Sequence, residues 1–409
     1  MGDNIKPHSS YRWVILAITC LATFIGCYAQ FQIPSLAYKL IPDLNLTPSQ
    51  YASILSAPML PSIFFSIAVG ALADRFGVKR VVTVGFLFAI VGITFRFTAK
   101  NYWQMLILMA MAGCSSAFLN ANISKLLGAW FPPEKIGSAM GVVLASATGA
   151  MAIGTATSAM FPSMKSAFIT AGVICAVIAA LWVLFMKDKP EGAPDLPAMP
   201  VINYLGVAVR SRSIWLVGFA MMFIMGAMMA FSGFLPNALY AVRGIDPVKA
   251  GFIASLGTIG GFAGSILGPV ICDRLGYMKP FLITAALLSA AGMFYAWQTP
   301  LGAIMWVLFI INGFMNASIS PMLMSFPMLL PEIGPVYAGS AGGLIATMQL
   351  IGAFCIPTFV IAPLAGTNFK LMFGLAAMCY LLAAVVFLFL PELGIKARCK
   401  TAAGSSRTA

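Results

Sequence analysis

The sequence predicts an all-α integral membrane protein, with twelve transmembrane helices in two pseudo-symmetric six-helix bundles. Three observations predict it. Of 409 residues, 61% are hydrophobic and only 9% charged, where soluble domains carry roughly a quarter charged residues. The apolar residues gather into runs near the ~20 residues that a bilayer core requires, punctuated by Gly, Pro and charge. Patterns from the first half also return in the second at nearly constant offset. Asp74 and Asp273 stand 199 residues apart within related corner sequences. Ala117-Phe-Leu-Asn120-Ala-Asn122-Ile-Ser124-Lys125 returns 196 residues later as Gly313-Phe-Met-Asn316-Ala-Ser318-Ile-Ser320-Pro321. Gly137-Ser-Ala-Met-Gly141 returns after 202 residues as Gly339-Ser-Ala-Gly-Gly343.

In chain order, the runs place spans at 12–33, 50–72, 80–98, 103–128, 138–160 and 165–186, then at 213–238, 249–271, 280–298, 302–328, 337–362 and 369–390. The first run is too long, and too poor in a small-residue cleavage site, for a removed signal peptide. The domains follow as 1–186, a linker at 187–212, 213–390, and a tail at 391–409. The linker is the longest polar interruption, with Asp188, Glu191, Asp195, several prolines and Arg210. Alternating the loops puts 16 Lys and Arg on the side of the termini and 6 on the other. That bias predicts both termini on the cytoplasmic side of a plasma membrane.

Composition also excludes. A net charge of +13 would suit nucleic acid only if the cations shared one solvated face, and here they punctuate apolar runs. The eight cysteines are scattered, without metal or redox spacing, and read as reduced packing residues. No HExxH, GxSxG or intramembrane His or carboxylate cluster points to an enzyme or a cofactor. The expected partners are a small-molecule substrate and the lipid bilayer, with no nucleic acid, and the chain is expected to act as a monomer.

Two corners organise the chain. In Gly70-Ala-Leu-Ala-Asp74-Arg75-Phe-Gly77-Val-Lys79-Arg80, Gly70 permits close helix approach, Gly77 a turn at positive φ, and Asp74 could cap the positive end of a nearby helix. Arg75, Lys79 and Arg80 hold the corner at the cytoplasmic surface. The second corner keeps Asp273, Arg274 and Gly276. These residues resemble the loop signature of the major facilitator superfamily of secondary transporters, found between its second and third helices and weakly repeated between the eighth and ninth. The resemblance implies two six-helix halves with a substrate path between them, and a gating role for the corner. Trp130-Phe-Pro-Pro-Glu134-Lys135-Ile-Gly137 resembles a loop of small-anion carriers of that superfamily, of nitrate, nitrite and cyanate type. The nitrate pattern places arginines inside spans two and eight, where this sequence has none beyond Arg75 and Arg274 at the corners. The glycine motif of drug antiporters in span five lacks its proline.

Polar residues inside hydrocarbon are costly and mark candidate path positions. Span one offers Tyr28, Gln30 and Gln32, and the two glutamines lie about 200° apart on a helix and so cannot share a face. Ser116, Asn120 and Ser124 form an i+4 ridge in span four, with Asn122 and Lys125 adjoining, and Asn316 and Ser320 repeat the ridge in span ten. Interhelical hydrogen bonding is the competing role for each. Arg96 and Lys125 are the two Lys or Arg residues inside apolar runs; either they snorkel to headgroups or, with every Asp and Glu in a loop, corner or tail, a transported anion neutralises them. The glycines of span eight, Gly260, Gly264 and Gly268, let helices meet backbone to backbone, in ordinary packing or at a domain interface, and Gly342, Gly343 and Gly352 with Pro357 make span eleven bendable. The sequence therefore points to a secondary transporter of a small organic or inorganic anion; the alternatives are an efflux antiporter for a neutral metabolite or drug, and a non-transporting sensor.

Overall fold

The computed structural model describes residues 10–190, 209–330, 333–394 and 396. Residues 1–9, most of the expected linker and most of the expected tail lie outside the described residues. No strand occurs among those described. Among the described residues eleven helices are long and apolar enough to cross a membrane, and twelve if the bent pair Pro48–Ser66 and Ala68–Phe76 counts as one span.

The first span is α1 (Arg12–Asp43). The second comprises α2 (Pro48–Ser56) and α3 (Leu60–Phe76) around a 3₁₀ turn at Ala57–Met59. Next come α4 (Val78–Thr94), then α5 (Tyr102–Ala112), α6 (Cys114–Asn120) and α7 (Ile123–Trp130) as three pieces of span four. The first half closes with α8 (Pro133–Thr157) and α9 (Met164–Phe185). The second half holds α10 (Arg212–Ala241), α11 (Pro247–Leu275), α12 (Met278–Tyr295) and α13 (Ala303–Leu329). Span eleven is α14 (Gly334–Cys355), a π-turn at Ile356–Ile361, and α15 (Ala362–Ala365); α16 (Phe369–Leu388) ends the set.

Helix α1 continues past Pro34, beyond the end expected at residue 33. Packing explains the extension: Ile33, Leu36, Ala37 and Leu40 are all buried, and the Ser35 hydroxyl donates to the Thr155 carbonyl of α8. At 1.5 Å per residue its 32 residues span about 48 Å, more than a hydrocarbon core of ~30 Å. The helix is therefore long enough to extend beyond the apolar layer.

The chain divides into two units. One runs through Leu46 and resumes at Ile54; the other takes Thr47–Ser53 and everything from Met199. In the second unit, the Tyr51 hydroxyl donates to the Gly233 carbonyl at 2.8 Å, and its ring meets Phe234 edge-on at 4.9 Å. The glycines of α11 lie inside this unit as well. A Cβ on Gly260 or Gly264 would fall 2.1 Å from the carbonyl oxygens of Ile310 and Phe314 in α13, so the two backbones touch. Of the two readings of these glycines, the contacts support ordinary packing: they seal span eight against span ten within one unit. Span eleven carries its irregularity where Pro357 removes a backbone donor and the ladder widens into the π-turn.

Candidate functional site

Span four is broken where the sequence is most polar. Gly113 separates α5 from α6, and a Cβ there would fall 2.1 Å from the Pro58 carbonyl oxygen. A second break follows at Ala121 and Asn122, and Asn122, at φ −125°, leaves the helical region. Its buried side-chain amide donates to the Phe118 carbonyl at 3.0 Å, which stands in for a missing rung of the ladder. Discontinuous spans are tolerated in membranes where the irregular backbone lines a cavity or is covered by protein.

The break at Ala121 and Asn122 interrupts the expected ridge between Asn120 and Ser124; Ser116 is half-buried, and Asn120 and Ser124 are exposed. The Ser116 hydroxyl lies against Gly26 of α1 and has no hydrogen-bond partner. Asn316 and Ser320 are half-buried on α13, an unbroken helix, while Ser318 between them is fully buried and donates to the Phe314 and Gly264 carbonyls. The two glutamines of α1 point apart. Gln30 donates to the Leu55 carbonyl at 3.0 Å, and Gln32 turns into the bundle. Tyr28 is buried, its ring stacked on Phe24 at 5.9 Å.

The two intramembrane cations have different fates. Arg96 does not snorkel: it is 2% exposed. Its guanidinium donates to the Ala29 carbonyl at 2.7 Å, Gln32 Oε1 at 2.8 Å and the Ile93 carbonyl at 3.1 Å, and lies 4.3 Å from the Phe168 ring centroid. Gln32 passes the chain on to the Ala167 carbonyl at 3.2 Å. Arg96 and Gln32 thus tie spans one, three and six inside the first unit. Lys125 does have a protein carboxylate, contrary to expectation, because its ammonium reaches Asp74 Oδ1 at 2.5 Å. Asp74 sits in the last turn of α3, near enough in space to α7 for this pairing.

That pairing reassigns the corner's chemistry. Gly77 adopts φ 87° as expected, but the carboxylate over the start of α4 is Asp188, which accepts from the Lys79 backbone N–H at 2.6 Å. The second corner is built alike. Gly276 lies at φ 80°, and the Glu392 oxygens accept from the Met278 and Lys279 N–H groups at 2.7 and 3.0 Å. The helix N-terminus supplies the partial positive charge in both cases. Sequence reasoning missed Asp188 and Glu392, although a signal existed: each follows the last span of its half, 204 residues apart. Arg75 lies over the Phe76 ring at 5.1 Å, and Asp273 and Arg274 are exposed. Gly70, contrary to expectation, meets no close neighbour: among the described residues nothing lies within 4 Å of where a Cβ would sit.

Residues 15–357 match the family model of the Major Facilitator Superfamily. The chain belongs to that superfamily. It is 25% identical to a probable sulfoacetate transporter of Cupriavidus necator over 84% of this chain and 85% of that one. It is 23% identical to a nitrite extrusion protein of Bacillus subtilis (86% and 88% covered) and 23% identical to a hexuronate transporter of Escherichia coli (92% and 93% covered). Its fold matches a bacterial homolog of the human lysosomal transporter Spinster at TM-score 0.75 and 14% identity, with 93% and 97% of the chains covered. A solved nucleoside transporter matches at TM-score 0.72 and 13% identity, with 91% and 99% covered. This superfamily member is a multi-pass membrane transporter. Among its described residues, no group of three His, Cys, Asp or Glu side chains could hold a metal ion.

Proposed function

We propose that the chain is a secondary transporter that carries a small organic or inorganic anion by alternating access. The observation that carries this reading is the common charge of the substrates named for its relatives, since sulfoacetate, nitrite and a hexuronate are all anions. The residues support it in a changed form. With Lys125 paired to Asp74 and Arg96 bonded inside the first unit, neither supplies a free charge to a substrate. Recognition then falls to neutral hydrogen-bonding groups such as Asn120 and Ser124 of span four, whose N–H and O–H donors bind more strongly when the acceptor is ionised.

Coupling follows from the same inventory. The spans hold no histidine, and their carboxylates, Asp43, Asp74, Glu134 and Asp273, all stand in terminal turns rather than mid-span, so anion exchange, uniport, or symport with a proton borne by the substrate are the available modes. The Lys and Arg bias supports a plasma-membrane protein with both termini cytoplasmic. The test is a thermal-shift screen of the purified protein at fixed ionic strength with sulfonates, carboxylates, nitrogen oxyanions, neutral sugars and organic cations. An anion should stabilise the wild type and stabilise Asn120→Ala and Ser124→Ala less. Stabilisation by cations alone would overturn the reading.

A further inference from the structure

The last turns of α1, the connection from α4 to α5 and the start of α9 border a half-open cavity of about 590 Å³ within the first unit. Four cations line it, Lys39, Arg96, Lys100 and Lys165, against one carboxylate, Asp43. The concentration is unexpected on this side of the protein. The loops opposite the termini hold six Lys and Arg in all, and three of those six meet here.

Among the described residues no ion pair joins Asp43 to any of the four. Lys39 and Lys165 lie over the Tyr38 and Phe97 rings at 5.4 and 5.3 Å, contacts that leave ammonium donors free. Arg96 forms part of the wall with its charge opposed only by neutral acceptors. Helix α9 begins in the same wall, capped by Ser163, so its first N–H groups add positive potential. Like charges gathered at a membrane boundary repel one another until an anion enters.

We infer that this cavity binds a phosphate-class oxyanion, held by Lys39, Lys100 and Lys165. Several acceptor oxygens at tetrahedral angles suit donors arriving from three separate segments, whereas a carboxylate offers two in one plane. The volume exceeds that of a free ion and has room for a glycerophosphate headgroup, and the ends of the spans lie where headgroups lie. The same chemistry could come from an anionic lipid or from inorganic phosphate. The inference does not depend on what the protein transports.

The experiment compares the wild type, the triple variant Lys39→Gln/Lys100→Gln/Lys165→Gln, the conservative triple Lys→Arg variant at those positions, and Lys249→Gln, a cation on the same side outside the cavity. Each is titrated in phosphatidylcholine nanodiscs with phosphatidylglycerol, and separately with sodium phosphate against sodium chloride at equal ionic strength, reading bound lipid by native mass spectrometry and Tm. At about fivefold per lysine near a membrane surface, the triple Gln variant should bind phosphatidylglycerol about a hundredfold more weakly. The Arg variant and Lys249→Gln should match the wild type. Loss confined to phosphatidylglycerol identifies the lipid as the source, and loss confined to phosphate identifies the free ion. Undiminished binding of both probes by the triple Gln variant, or no binding of either by the wild type, overturns the inference.

Discussion

Replacing Gln32 by Leu tests whether Arg96 is held by the bundle or by a substrate. Gln32 Oε1 accepts from the Arg96 guanidinium at 2.8 Å, and its amide donates to the Ala167 carbonyl at 3.2 Å. Both residues are almost completely buried, at 0% and 2% exposure. Leu fills the space but leaves a charged donor and a backbone acceptor unpaired, at a cost of about 2–4 kcal/mol. Arg96→Met orphans the Gln32 oxygen and removes the cation from the Phe168 ring, so it should cost a similar amount. The double variant removes both members, and its cost should fall short of the sum by about 1–3 kcal/mol. SDS titration followed by tryptophan fluorescence reads these stabilities, with ligand binding measured on the same samples. Additive losses, or a stable Arg96→Met that has lost its affinity for anions, would refute the structural role and return Arg96 to the substrate path.

Asp74→Asn and Lys125→Gln should each slow uptake, and the double variant should be no slower than the worse single one, because one contact at 2.5 Å is shared. The pair is 37% and 50% exposed, so its loss should cost no more than about 1 kcal/mol of stability; multiplicative rate losses in vesicles would separate the two residues. Glu392→Ala should destabilise the protein by about 1 kcal/mol by uncovering the start of α12, and Glu392→Gln, which keeps an acceptor, should lose less; equal melting curves for all three proteins would contradict this. Gly264→Val should abolish folded protein on size exclusion, because its Cβ meets the Phe314 carbonyl oxygen at 2.1 Å, whereas Gly137→Ala, with open space around it, should fold normally. A cysteine at Arg210→Cys should resist an impermeant maleimide in intact cells and react after permeabilisation; labelling from outside would reverse the topology.

The apolar runs and the corner glycines were legible because their signals are local: span length follows from bilayer thickness, and Gly77 and Gly276 adopt the positive φ that their turns require. Two glutamines at i and i+2 had to diverge, and they do. The rest depended on partners distant in sequence. Lys125 meets a carboxylate 51 residues away, and Arg96 meets Gln32 at a separation of 64, so neither pairing has a periodic signature. The glycine stripe of α11 announces close packing in any chain, but only the neighbouring α13 says against what. The break in span four lay hidden because Ala121 and Asn122 include no Gly or Pro, and Asn122 read only as a polar residue on the face adjoining the ridge. The capping carboxylates stood in segments read as linker and tail, where a charged residue looks merely solvated.

Counterflow in proteoliposomes decides whether the protein carries an anion. Vesicles containing the purified transporter would be preloaded with unlabelled sulfoacetate, nitrite or a hexuronate, diluted into the labelled compound, and compared with vesicles preloaded with the neutral hexose of the same ring and with protein-free vesicles. A transient overshoot of label with at least one anion, absent for the hexose and reduced in Asn120→Ala, is the expected result. An overshoot with the hexose equal to that with the hexuronate would contradict it, since charge would then play no part in what the protein selects.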